Sequence, residues 1–64
     1  MITGEELSQE VKKGEFFYDE DFSDMDCSEV DLSGAIFNRI CFDGCNFTGA
    51  HLKETMFIDC SLND

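Results

Sequence analysis

Four cysteines and a single histidine are the side chains of this sequence with the widest chemical repertoire. Cys41-x-x-x-Cys45, together with Cys27, Cys60 and His51, offers the sulfur and imidazole donors of a tetrahedral zinc site. In a secreted chain of this length the same cysteines would suggest a disulfide framework. Carboxylates are more abundant still: fifteen Asp and Glu stand against four Lys and Arg, so pairs for general acid–base work are available. Beyond these the catalytic vocabulary is thin. There is no Gly-rich phosphate loop, and no Ser, His and Asp at a spacing that suggests a nucleophilic triad. Convergence of any of these donors depends on the elements that carry them.

The first element is a short helix over residues 2–14. Thr3 is a good N-cap, and Glu6 three residues later closes a capping box. Ile2 and Leu7 have the spacing of a hydrophobic staple, and Leu7 and Val11 define a narrow apolar stripe. Lys12 and Lys13 suit the negative end of the helix dipole, and Gly14 suits a left-handed C-cap. A helix this short is not stable alone in water, so its stripe must dock on the segment that follows.

From Phe17 onward the apolar period becomes five. Phe17, Phe22, Cys27, Leu32, Phe37, Phe42, Phe47, Leu52, Phe57 and Leu62 form one unbroken register. Neither a period of 3.6 nor a period of 2 keeps these residues on one face. Two residues earlier runs a second register of smaller, mostly apolar residues: Met25, Val30, Ala35, Ile40, Cys45, Ala50, Thr55 and Cys60. Asp, Ser, Asn, Gly and Thr dominate the remaining positions.

Written from Val30, the chain runs VDLSG, AIFNR, ICFDG, CNFTG, AHLKE, TMFID. This resembles the pentapeptide-repeat family, whose motif is a small residue, Asp or Asn, Leu or Phe, and two mostly polar residues. The resemblance spans roughly residues 17–64, and the helix resembles the caps of such proteins. It implies an all-β solenoid: a short right-handed quadrilateral β-helix of about two coils, four pentapeptides to a coil, with an N-terminal capping α-helix. The expected organisation is a capping helix over 1–14 and a repeat segment over 15–64.

With one pentapeptide to a side, the central Phe or Leu and the residue two before it point inward, and residues twenty apart stack. Cys27 is small where Leu or Phe is usual, leaving space for Phe47. Glu20 falls at an inward position, so the first coil is expected to be irregular near the cap. Outward residues such as Asp43 should tolerate substitution. The phase also separates the thiols. Cys27 and Cys45 face inward on one side and Cys60 on another, while Cys41 and His51 point out. A tetrahedral site would break the solenoid, so the cysteines read as small buried hydrophobes. A core filled by Phe and Leu leaves no substrate pocket. The expectation is no enzyme, no catalytic residue, no metal and no cofactor.

Two surface features remain. Ile36 and Met56, with Ile58 beside Met56, are large apolar groups at outward positions and form a patch. Phe57, Leu62 and Leu52 contribute, with Phe47, to the last coil, whose face is expected to pair end to end with a second copy as a two-fold homodimer. The other feature is an acidic run that includes Asp19, Asp21, Asp24, Asp26, Glu29 and Asp31, without a base between Glu15 and Asp31. A formal net charge of -11 argues against direct nucleic-acid binding and against an anionic membrane surface. It attracts basic partners. Met1 to Gly14 holds no apolar run of the signal-peptide kind, so a cytoplasmic location and free thiols are expected.

Three functions stay open. The first is a small acidic protein–protein interaction module or adaptor, whose partner is another protein or itself. The second is DNA mimicry that protects DNA gyrase or another topoisomerase, as the resemblance implies for some of the family. About two coils make only roughly 10 Å of axis at strand spacing, about three base pairs of duplex, so this suits a longer solenoid. The third is a purely structural cap.

Overall fold

The computed structural model describes residues 2–63; Met1 and Asp64, the outer ends of the two expected segments, lie outside them. Helix α1 spans Gly4–Lys12. Its start follows the capping-box reading: Thr3 Oγ1 accepts the Glu6 amide at 3.1 Å, and Glu6 Oε1 accepts the Thr3 amide at 2.9 Å. Its end is a Schellman motif. Gly14 takes φ 83°, its amide reaches Val11 O at 3.0 Å, and the Glu15 amide reaches Glu10 O at 3.3 Å.

The rest of the chain winds so that each pass lies parallel to the pass twenty residues away. Strands β1 (Phe17–Tyr18), β2 (Ile36–Asn38) and β3 (Met56–Ile58) form a three-stranded parallel sheet in that order. The register pairs Phe17 with Phe37 and Phe37 with Phe57. Elsewhere the passes meet in isolated parallel bridges at the same offset, Asp21 with Cys41, Asp26 with Asn46, Asp31 with His51 and Cys41 with Ser61.

Regular strands are short because the backbone turns every fifth residue. Among the described residues, the one two past each central position has positive φ: Asp19, Asp24, Glu29, Gly34, Arg39, Gly44, Gly49, Glu54 and Asp59. At five of these corners an amide bonds the carbonyl three residues back, as in Val30 to Cys27 and Ala35 to Leu32. A positive φ at the third residue is the mark of a type II turn. A second device braces the same corners. The side chains of Asp21, Asp26, Asp31 and Asn46 each accept the amide two residues on, the Asx turn that short carboxylate and amide side chains favour.

Inside, the central residues stack in columns. Phe37 lies 5.5 Å from both Phe17 and Phe57, and Phe42 lies 5.8 Å from Phe22, ring centre to ring centre. Phe37 and Phe42 meet edge to face at 4.9 Å, a favoured aromatic geometry. Cys27 is fully buried in this cluster. Leu7 of α1 joins it, also fully buried, with Ile2 and Val11 packed at its edge, so the helix stripe closes the first turn of the winding. Ser8 adds a bond from its hydroxyl to Asp31 O at 2.6 Å.

Two inward or outward assignments need correction. Glu20 is exposed; its carbonyl still keeps the ladder by accepting the Cys41 amide at 2.9 Å. Asp43 is only partly exposed. It accepts the Ser61 hydroxyl and, at 3.0 Å, the Asn63 amide, which makes it a tie to the next pass and no free surface group.

Candidate interaction surface

The twenty-residue register decides which outward side chains become neighbours. Met56 pairs with Ile36, and Ile58 with Asn38, on β2 and β3. All three large apolar groups of this expected patch are exposed, Met56 by 51%. Two further residues extend it. Tyr18 pairs with Asn38 and stands exposed, and Phe16 precedes β1 at the position twenty before Ile36, exposed by 72%. The outward face of the sheet therefore carries two columns, Phe16–Ile36–Met56 and Tyr18–Asn38–Ile58. Phe16 and Tyr18 escaped the sequence reading because Phe17 claimed that stretch for the inward register. Their signal was the same offset of twenty.

At the centre of this face the Asn38 side-chain oxygen is buried and has no hydrogen-bond partner, an uncommon condition that costs free energy. On one flank Arg39 grips Asp19 through two nitrogens, one at 2.9 Å.

The other expected contact residues lie apart. Leu52 and Leu62 are exposed but belong to other sides of the winding. Phe57 points inward, its ring stacked on Phe37, and is only partly exposed. It belongs to the core's edge and not to the sheet's outward face.

Asp19, Asp21, Asp24, Asp26, Glu29 and Asp31 are all exposed, yet four of the six carboxylates have local work. Asp19 holds Arg39, Asp21, Asp26 and Asp31 brace turns, and Asp24 and Glu29 occupy corners at φ 61° and 58°. Hydrogen bonds from Ser23, Ser28 and Ser33 hold the bracing carboxyls below their ordinary range. The run is thus written largely by the backbone's needs.

The thiols follow the same logic. Cys45 Sγ donates to Phe22 O at 2.9 Å and Cys60 Sγ to Phe37 O at 3.4 Å, the bond that the Thr55 hydroxyl makes to Leu32 O at 2.8 Å. Among the described residues, the corners after Phe22 and Phe37 have no amide-to-carbonyl turn bond. At Phe22 O the Cys45 thiol supplies what the turn leaves unpaired, whereas at Leu32 O the Thr55 hydroxyl adds to the turn bond from Ala35. Burial pushes the Cys27 thiol up to about 11 and raises that of Cys45, so neither is a ready thiolate nucleophile. All four cysteines are free. His51 is exposed, and no three His, Cys, Asp or Glu side chains converge as a metal site among the described residues.

One groove completes the surface. It has a volume of about 830 Å³ and lies between α1 and the first pass of the winding. Among the described residues no helix is long and apolar enough to cross a membrane.

The sequence matches the family described as pentapeptide repeats, in eight copies, over residues 21–64. Comparison with curated proteins returns no match, and neither does comparison with solved structures.

Proposed function

This chain belongs to the pentapeptide-repeat family, and from that premise we propose that it is a small non-enzymatic module that binds another protein through the outward face of its sheet. We take the winding to be right-handed and four-sided, with about two coils. One observation carries the reading. Tyr18, Ile36, Met56 and Ile58 stand out on paired register positions of a single face, and Phe16 continues one column at the same offset of twenty, where scattered exposure would need no explanation and a contiguous patch does. Aromatic residues and Met are enriched in interface cores, and Phe16, Tyr18 and Met56 supply them. A second contact belongs to the last pass, where Leu52 and Leu62 are exposed and a second copy would dock end to end, keeping the acidic halves apart. The compartment this reading assigns is the cytoplasm, where four free thiols persist.

The test is comparative capture from cell extract with quantitative mass spectrometry. A partner held by the native chain should be lost with an Ile36→Ser, Met56→Ser double variant and kept with Leu52→Ser. Equal capture by native chain and double variant would end the proposal for this face.

DNA mimicry is the second reading. Its support is the charge of -11 and the ordering of Asp21, Asp26 and Asp31 by their turn bonds. A gyrase supercoiling assay with and without fluoroquinolone decides it, since no effect at high concentration eliminates it.

A further inference from the structure

The groove beside α1 differs in chemistry from the sheet face. Its apolar lining comes from Ile2, Phe16, Phe17 and Phe22, and its acidic lining from Glu6, Glu10, Glu15, Glu20 and Asp21. No Lys, Arg or His contributes to it. Lys13 answers one of the five carboxylates, Glu10, at 3.2 Å, and lies outside the lining. The volume of about 830 Å³ is in the range of ligand-binding clefts, about 300–1,000 Å³.

Phe16 belongs to both surfaces. It heads the column Phe16–Ile36–Met56 on the sheet face, and it lines the groove. A segment lying along that column runs into the groove without leaving protein surface. We propose that the groove receives a basic segment of the partner protein, an extended stretch in which Lys or Arg alternates with apolar residues. The cations face the carboxylates while their aliphatic stems and the apolar residues cover the Phe and Ile lining, the arrangement long basic side chains adopt on mixed surfaces. A second copy of this chain offers no such segment, its four bases never alternating with apolar residues, and its charge of -11 opposes entry into an acidic groove. Nucleic acid and anionic lipid are repelled for the same reason. This inference rests on the interaction-module reading and adds a partner class and a second site to it.

The experiment uses the full chain and a short fluorescein-labelled peptide in which arginines alternate with leucines around one phenylalanine. Fluorescence polarisation should show saturable binding that weakens with salt. Replacing the arginines by glutamates should abolish it. A Glu15→Gln, Glu20→Gln variant, with both positions exposed and the fold checked by circular dichroism, should bind about ten-fold more weakly. Phe16→Ser should weaken binding as well. Absence of peptide binding overturns the inference, as does equally tight binding of spermine or of an arginine peptide without apolar residues, which would reduce the groove to a counter-ion field. Binding that is lost in the Ile36→Ser, Met56→Ser variant but unchanged in the Glu→Gln variant also overturns it, while leaving the sheet-face reading intact.

Discussion

Gly4 shows how far one atom can decide the attachment of an element. A methyl group there would lie 2.3 Å from the backbone oxygen of Asp26, and backbone cannot swing aside as a side-chain tip can. Gly4→Ala should therefore lift α1 from the first pass and cost about 1–3 kcal/mol, the range for overpacking. Gly34 is the contrasting case: the space around it is open, but φ is 77°, so Gly34→Ala costs about 1–2 kcal/mol through backbone conformation alone. Urea melts separate the two, because only Gly4→Ala should also expose Leu7. The same scale holds the thiol prediction. Cys45→Ser keeps a donor for Phe22 O, as Thr55 does for Leu32 O, whereas Cys45→Ala leaves that carbonyl unpaired. The alanine variant should be the less stable by about 1–3 kcal/mol, and equal melts would mean that the thiol acts only as bulk. Neither role was legible beforehand. Gly4 sits inside a helix whose local signals say nothing about what its first turn touches, and Cys45 reads equally well as a plain small hydrophobe.

Among the elements, the turns explain more of the composition than the strands do. Asp21, Asp26 and Asp31 are held below their ordinary range by hydrogen bonds from Ser23, Ser28 and Ser33, Asp43 by Ser61, and Asp19 by the Arg39 guanidinium. A carboxyl that binds its proton less tightly when folded adds stability above its unfolded value, near 4. That contribution disappears as pH falls through the lower folded value. Stability from urea melts should therefore drop below about pH 4. An Asp26→Asn, Asp31→Asn variant should lose less over the same interval, since Asn46 already braces a turn as a neutral acceptor. A steeper loss in that variant would contradict the assignment. The helix boundaries and caps were readable from Thr3, Glu6 and Gly14 because capping is local chemistry. Positive φ at Asp24, Glu29 and Glu54 was not, because Asp and Glu do not advertise a left-handed corner as Gly does. Only the five-residue phase shared with Gly34, Gly44 and Gly49 links them.

Across the whole molecule the register is the organising fact, and it was the most legible one, since ten inward positions from Phe17 to Leu62 repeat it. At its centre lies Phe42, almost wholly buried and ringed by Phe22, Phe37, Phe47 and Phe57. Phe42→Ala should cost about 3–5 kcal/mol, a large share of the roughly 5–15 kcal/mol that holds a small domain together. Lys53→Ala, at an exposed outward position, should stay within about 0.5 kcal/mol; comparable losses at both sites in thermal melts would break the register. The outward face followed from the same offset only in part, because a residue's exposure depends on which passes flank it. The surface claim has its own controls built into the chain. Ile36, Ile58 and Met56 are exposed on the sheet face, while Ile40 and Met25 are buried. Methyl cross-saturation with labelled Ile and Met, in the complex with a captured partner, reads them side by side. The account predicts signal loss at Ile36, Ile58 and Met56 and none at Ile40 or Met25. Saturation that spares the first three and reaches the chain elsewhere would contradict it.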